Sequence, residues 1–384
     1  MLNEASLNGI YIKNFIIIMK KLKILHAHTS LNNGGIESMI MHLANHMSRD
    51  HSVTILSIFT PPQKGSLVSK LNKSIKLITA GKNKSGCSLS IIWKILSILK
   101  NGDFEVVHLH GFFYYYLLPV LLLHEKVNFF YTVHSEAFME NSYWDRVIFP
   151  IKRFCFRKGW VTAVTISKHS QESFEKCYGF QAPLVYNGIQ RPIVKIVDLS
   201  SYKTTKNTKL FFFPARISRE KNQLLLCRAF NRLLKEGYDI CLLLAGEVQD
   251  EQLFEQISTY LGDRIYYIGD VNNVPDLLAN CDAFCLTSMY EGLPVTLLEA
   301  LSVGCIPICT RVGGIPEVIT DGENGFVVDE IDNVEALYRV LIKFLNLDAI
   351  QLNNLKAAAQ ERFNDFEINK SATEYLDVYK RSLH

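Results

Sequence analysis

The sequence predicts an α/β protein of two doubly wound parallel sheets, and three observations carry that expectation. Short, continuous apolar runs recur along the chain, the pattern of strands buried on both faces. Between most of them lie helical stretches whose apolar residues repeat at three- and four-residue spacing. A polar, unpatterned segment, IVKIVDLSSYKTTKNT at 193–208, divides the runs into two sets of similar length.

Each element can be justified in turn. The run from Met19 through Leu25, MKKLKIL, reads as a natural beginning for a first strand, with Met19 as the physiological start and residues 1–18 as an extra segment. That opening stretch has Asn8-Gly9 and Lys13 and no small-residue cleavage site, so it is not read as a signal peptide. Strand LKILHA is followed by Gly34-Gly35-Ile36-Glu37 and a helix over 37–47 whose Met39, Ile40, Leu43 and Met47 form one stripe. Strands VTILSI, EVVHLH, NFFYTV and VTAVTI complete the first set, and Asn187-Gly188-Ile189 reads as a turn before the 193–208 linker. Strands KLFFFPA, ICLLLA, IYYIG, DAFCLT and CIPICT form the second set. Gly313-Gly314-Ile315-Pro316-Glu317 and Asp321-Gly322-Glu323-Asn324-Gly325 are turns before a strand FVV. After Asp348 the pattern is helical, and the last part could pack back on the first half. The expected division is therefore 1–192, a linker at 193–208, 209–365, and a terminal helix at 366–384.

Composition narrows the function classes. A 48% apolar and 21% charged chain is globular, and a formal net charge of +3 gives no whole-molecule signal for nucleic acid. Nine cysteines include Cys281/Cys285 and Cys305/Cys309, two Cys-x-x-x-Cys pairs lying in apolar strands. They are read as core thiols rather than zinc ligands, which implies a reducing, cytosolic compartment. No run reaches the roughly 20 apolar residues that a membrane-spanning helix needs. GFFYYYLLPVLLL together with the basic stretch 152–158 has two readings: a patch resting on the inner face of a membrane, or a buried helix beside a solvated basic face.

The residues that could carry chemistry sit where strands end. Glu291 and Glu299 bracket a Gly292-Leu293-Pro294 turn and the start of a helix, with Pro294 suited to its first turn and Gly304 as its stop. A helix N-terminus attracts an anion, and carboxylates on either side could hold ligand hydroxyls; the plainer reading is two solvated glutamates. Arg216 and Lys221, after strand KLFFF, are placed to neutralise a diphosphate, the Arg as a fork and the Lys as a point charge. Gly35 lies in a turn that would let a phosphate or sugar hydroxyl approach the backbone. His134 ends strand NFFYTV, where it could bond a sugar hydroxyl or act on a proton. The pairs His26/His28 and His108/His110 have same-face spacing but no evident third ligand, and read as satisfied histidines. No two aspartates are separated by a single residue, so an ion-held diphosphate has no ready ligand pair.

Taken together, GGIE, VVHLHG, TVHSE, YNGI, PARISREKNQ, EGLPVTLLE and GGIPEVITDGENGFVV resemble the retaining glycosyltransferases of family 4, from Met19 to nearly the end of the chain. The resemblance implies the GT-B fold: two Rossmann-like domains facing across a cleft, the first for an acceptor and the second for a nucleotide-sugar. It implies that Arg216 and Lys221 hold the donor diphosphate without a metal and that Glu299 takes the ribose hydroxyls. Glu291 would face the transferred sugar, with Gly292, Leu293 and Pro294 near its hydroxyls and the phosphates. Gly35 would sit beside the diphosphate and His134 near the reacting carbon. Retention through front-face attack comes from the resemblance alone. The loop Gly246-Glu247-Val248 departs from the family pattern, which often has a second glycine and a later basic residue. The expected activity is transfer of a hexose, from a UDP-sugar, to a glycan or lipid-linked acceptor in cell-surface polysaccharide synthesis. No cofactor or metal is expected. A UDP-sugar epimerase of the same fold and an inactive nucleotide-sugar-binding protein are the alternatives.

Overall fold

The computed structural model describes residues 21–62, 66–83, 86–139, 143–262 and 264–383. The expectations about residues 1–18 and the Met19 start fall outside the described residues. Among those described, each apolar run becomes a strand, and one further strand, β3, joins the first set: β1 (Lys23–His28), β2 (Ser52–Phe59), β3 (Lys76–Lys82), β4 (Val106–Leu109), β5 (Asn128–Val133) and β6 (Val161–Thr165). The second set is β7 (Lys209–Pro214), β8 (Ile240–Ala245), β9 (Ile265–Tyr267), β10 (Ala283–Leu286), β11 (Ile306–Thr310) and β12 (Phe326–Val328).

These strands form two six-stranded parallel sheets, β3-β2-β1-β4-β5-β6 and β12-β11-β10-β7-β8-β9. Counted from β7, the second sheet has the same order as the first. In each, the chain works outward on one side of its first strand and then returns to the other side. The switch falls between β1 and β4 in one sheet and between β7 and β10 in the other, where ligands of such sheets bind. β8, with all six residues buried, shows why its sequence is uniformly apolar: both faces of the sheet are covered. β3 had no matching apolar run. It is an edge strand with one face partly in solvent, so Lys76 is tolerated within it, while Lys82 is buried with its ammonium 4.9 Å from the Phe59 ring centroid.

Helices cover the sheets. They are α1 (Gly35–Met47), α2 (Leu89–Asn101), α3 (Leu117–Leu123), α4 (Tyr143–Val147), α5 (Phe149–Arg157) and α6 (Lys168–Tyr178). In the second half follow α7 (Gln223–Lys235), α8 (Glu251–Ser258), α9 (Val274–Ala279), α10 (Val295–Val303), α11 (Val334–Leu345), α12 (Ala349–Phe363) and α13 (Ile368–Ser382). The α1 stripe Met39, Ile40, Leu43, Met47 is buried, each side chain gaining roughly 1.5–3 kcal/mol by leaving water. Local chemistry sets the ends: Ser167 and Ser170 form a capping box on α6, and Asp348 and Gln351 form one on α12. No helix among the described residues is long and apolar enough to cross a membrane.

By contact the chain forms two compact units. The first holds the described residues through Val133, Met139–Val164, and the end of the chain from Ser371; the second holds His134–Phe138 and Thr165–Lys370. The passage from one unit to the other thus lies near residue 165, upstream of the 193–208 segment. In the first unit, α13 lays Tyr375 and Tyr379 on the sheet: the Tyr379 hydroxyl is 2.6 Å from His108 Nδ1, and that of Tyr375 is 3.1 Å from Thr132 Oγ1.

Candidate active site

In the second unit, β7 and β10 are adjacent, and the loops leaving their carboxyl ends carry the two clusters of charge read from the sequence. After β7 the chain passes Arg216 and a short 3-10 turn, Arg219–Lys221, before Asn222 turns it into α7. After β10 it passes Thr287 and Ser288 to Glu291. The two loops are joined through the backbone: Met289 N–H donates to the Glu220 carbonyl at 2.8 Å, and Thr287 Oγ1 to the Asn222 carbonyl at 2.9 Å.

This joining brings Lys221 and Glu291 together. Lys221 Nζ lies 2.6 Å from Glu291 Oε1, with side chains 17% and 9% exposed, so water screens the pair little. Ser288 Oγ donates to the same oxygen at 2.6 Å, and Thr310 Oγ1 in turn donates to the Ser288 carbonyl at 2.6 Å. Two donors on Oε1 leave Oε2 for a further hydroxyl, and an ammonium with one bond made has two N–H groups to offer. Ser288 was not singled out from the sequence, although it stands one turn before Glu291.

Arg216 is exposed and enters no ion pair among the described residues. Its loop, however, is held firmly. Gln223, fully buried, donates from Nε2 to the Arg216 carbonyl at 2.7 Å. Ile217 N–H donates to the Glu247 carbonyl at 2.8 Å, so the Gly246-Glu247-Val248 loop, discounted in the sequence, braces the Arg216 loop. Arg219, one of the ordinary charges of this segment, pairs with Asp250 at 2.9 Å.

The turn between the two glutamates is equally constrained. Pro294 sits at the cap position just before α10 rather than inside its first turn, and no side chain caps the helix. The first N–H groups of α10 are therefore open to an anion. Gly304, with φ 74°, ends the helix as expected. Glu299 lies half-buried in α10. The Gly313-Gly314 loop packs against the turn: Gly314 N–H donates to the Gly292 carbonyl at 2.7 Å, and a Cβ on Gly313 would meet the Glu291 carbonyl at 1.9 Å. Asn187, read as a hinge turn, instead donates from Nδ2 to the Leu293 carbonyl at 2.9 Å, and its buried Oδ1 has no protein partner.

His134 is buried and follows β5, and its backbone carbonyl lies so close to Gly292 that a Cβ there would stand 1.9 Å from it. Gly35 belongs to the first unit, where it is the first residue of α1 behind Gly34. The structure thus gathers Lys221, Glu291, the Gly292–Pro294 turn, Glu299 and the His134 backbone in one unit.

The other histidines meet at the switch point of the first sheet. His26 on β1 is in register with His108 on β4, and His26 Nδ1 is 3.2 Å from His110 Nε2. Burial alone lowers the pKa of His26 to about 3, so it is neutral. One nitrogen each of His26, His108 and His110 lie within 4.8 Å, a spacing that could hold a metal. His108, however, has both nitrogens within hydrogen-bond distance of hydroxyls, those of Tyr379 and Thr132 at 2.6 Å, so an ion would have to displace one of these bonds. The cysteine pairs lie buried on or beside β10 and β11, and burial raises their thiol pKa values, as expected of core residues.

Comparison with known proteins decides the family. The model described as Glycosyltransferase Family 4 matches residues 33–191, and that described as Glycosyl transferases group 1 matches residues 197–362. The chain is a family 4 glycosyltransferase of the GT-B fold. Among similar glycosyltransferases is the GalNAc-alpha-(1->4)-GalNAc-alpha-(1->3)-diNAcBac-PP-undecaprenol alpha-1,4-N-acetyl-D-galactosaminyltransferase of Campylobacter jejuni, 25% identical over 93% of this chain and 98% of that one. The N-acetyl-alpha-D-glucosaminyl L-malate synthase of Bacillus anthracis is 28% identical over 51% of this chain, the alignment spanning 52% of that relative. The structure of Anabaena Alr3699/HepE in complex with UDP and glucose matches this glycosyltransferase fold with a TM-score of 0.76, at 17% identity over 93% of this chain and 99% of that one.

Proposed function

We infer that this glycosyltransferase moves a hexose from a UDP-sugar to a glycan or lipid-linked acceptor, with retention of configuration and with protein cations in place of a metal. The observation that carries the reading is the Lys221–Glu291–Ser288 cluster at the switch point between β7 and β10, beside the uncapped start of α10. In the proposed reaction the diphosphate rests on the α10 N–H groups, on Lys221 and on Arg216. These stabilise the charge that develops as the sugar–phosphate bond breaks. Glu291, its Oε1 fixed by two donors, presents Oε2 to the sugar, and Glu299 binds the ribose hydroxyls. His134 is assigned to the reacting sugar, and Gly35 to the donor diphosphate. The leaving phosphate takes the acceptor proton, so no side chain is assigned as general base. The UDP donor is supported by the Anabaena complex, and the lipid-linked acceptor by the Campylobacter relative.

The test is acceptor-dependent release of UDP from UDP-sugars, in buffer with a divalent-ion chelator, with the anomeric configuration of the product read by NMR. Donor conversion to an epimer without UDP release would instead favour the epimerase reading.

Contact with an anionic membrane surface is a further part of the proposal. Part of GFFYYYLLPVLLL is buried, including Phe113, Tyr115, Tyr116, Val120 and Leu123, and so is Lys152, whose ammonium lies 4.4 Å from the Tyr131 ring centroid. Exposed apolar residues are Phe112, Leu121 and Leu122 of that run and Tyr143, Trp144, Val147, Ile151 and Phe154 on α4 and α5, with exposed Arg157 and Lys158 beside the latter. Co-sedimentation with acidic vesicles at low salt should pull the enzyme down; a protein left wholly in the supernatant rejects this contact.

A further inference from the structure

The glycine-rich motif Gly313-Gly314-Ile315-Pro316-Glu317 ends on a carboxylate that the proposed reaction does not use. Glu317 closes a short 3-10 turn, Ile315–Glu317, and is half-buried in the second unit. Its side chain reaches the start of α6, which belongs to the same unit. Lys168 N–H donates to its Oε2 at 2.8 Å and His169 N–H to its Oε1 at 2.9 Å. The Tyr186 hydroxyl also donates to Oε2, at 2.8 Å. The third N–H of the helix, that of Ser170, donates to Ser167 Oγ. The first three N–H groups of α6 are thus taken by protein acceptors, and the carboxylate lies where the helix dipole favours negative charge. The α10 helix, by contrast, begins with no side-chain cap.

The same turn carries Gly314 against the Gly292–Pro294 turn that leads into α10. Gly314 N–H donates to the Gly292 carbonyl at 2.7 Å. A Cβ on Gly314 would stand 2.9 Å from that carbonyl and 2.9 Å from Ser167 Cβ, so Gly314 is wedged between the turn and the cap of α6. From behind, Arg362 Nη2 donates to the Glu317 carbonyl at 2.6 Å. The segment His134–Phe138, whose His134 carbonyl also faces Gly292, rests on the same helix. There Ala137 N–H donates to Ser173 Oγ at 3.0 Å, and Glu136 lies 3.1 Å from His169 Nε2. Both backbone neighbours of Gly292 are therefore seated on the first two turns of α6.

We propose that Glu317 is a positioning residue for the donor. By joining the start of α6 to the Gly313-Gly314 loop, it sets the Gly292–Pro294 turn and hence the open N–H groups of α10. This rests on the transferase reading above and adds to it a residue that touches neither substrate. Glu317 acts through Gly314 and Gly292, because both of its oxygens are already bonded to protein donors.

The test is calorimetric titration of the full chain with UDP, beside donor kinetics and a thermal melt. Glu317→Ala should weaken UDP about tenfold and raise the donor KM in parallel, with a smaller change in kcat. Glu317→Gln keeps the shape but offers one acceptor oxygen in place of two, and should fall between Glu317→Ala and wild type. Ser170→Ala is the control for helix stability alone. It removes the bonds that Ser170 Oγ receives from the Ile166 and Ser167 N–H groups and leaves Glu317 untouched. Its Tm should fall while UDP affinity stays at the wild-type level. Unchanged UDP affinity in Glu317→Ala overturns the proposal, as does an equal loss in Ser170→Ala. Exchange of the Gly314 amide keeps the two readings apart: it should quicken about tenfold in Glu317→Ala and stay unchanged in Ser170→Ala. A wild-type chain that fails to bind UDP counts against the donor assignment, whereas unchanged Gly314 exchange in Glu317→Ala counts against this role of Glu317.

Discussion

Lys221 illustrates how one side chain acquires its chemistry from neighbours distant in sequence. Its partner Glu291 stands on the next strand's loop, and Ser288 bonds the same carboxylate oxygen. Lys221→Ala removes a cation from the proposed diphosphate site and should lower kcat about 10²–10³-fold. The Ser288 bond still holds Glu291, so Tm should remain near that of the wild type. Steady-state kinetics beside a thermal melt checks this, and near-normal turnover would remove Lys221 from the leaving-group role. Arg216, Lys221, Glu291 and Glu299 were legible because charged residues at strand ends stand out against apolar runs. Ser288, Gln223 and Asn187 were not, because a small polar residue in a loop gains meaning only from the carbonyl or carboxylate it reaches. His26/His28 and His108/His110 were recognised as pairs, but the hydroxyls that bond His108, those of Tyr379 and Thr132, come from other elements.

At the scale of elements, the turn leading into α10 is held by loops distant from it in sequence. The Gly313-Gly314 loop bonds Gly292, and Asn187 bonds Leu293. Asn187→Ala should loosen the Gly292–Pro294 turn, raising the donor KM about tenfold with a smaller change in kcat. Donor binding measured by titration should fall in parallel; unchanged donor affinity would mean that the bond has no part in positioning. The apolar periodicity disclosed the buried strands and α1. It missed β3, because an edge strand needs only one apolar face, and it set Pro294 one position inside the helix. Pro294 shows the reason: its fixed φ suits both the cap and the first helical residue, and only the neighbouring turns decide between them.

At the scale of the molecule, two sheets share one strand order, and each places its chemistry at its own switch point. The second carries the Lys221–Glu291–Ser288 cluster, and the first carries the buried histidines. The doubly wound class was legible because burial on both faces leaves an unmistakable apolar run. The division into units was less so, since the polar 193–208 segment marks a break in pattern and not a break in contacts. The central claim is that a UDP-sugar is cleaved on protein cations alone, and only with an acceptor present. The direct measurement is UDP release from a UDP-sugar panel in the presence of chelator, with and without a lipid-linked glycan acceptor. The account predicts release that requires the acceptor, survives the chelator and nearly disappears in Lys221→Ala. Release that vanishes with the chelator, or that proceeds unchanged in Lys221→Ala, would contradict it.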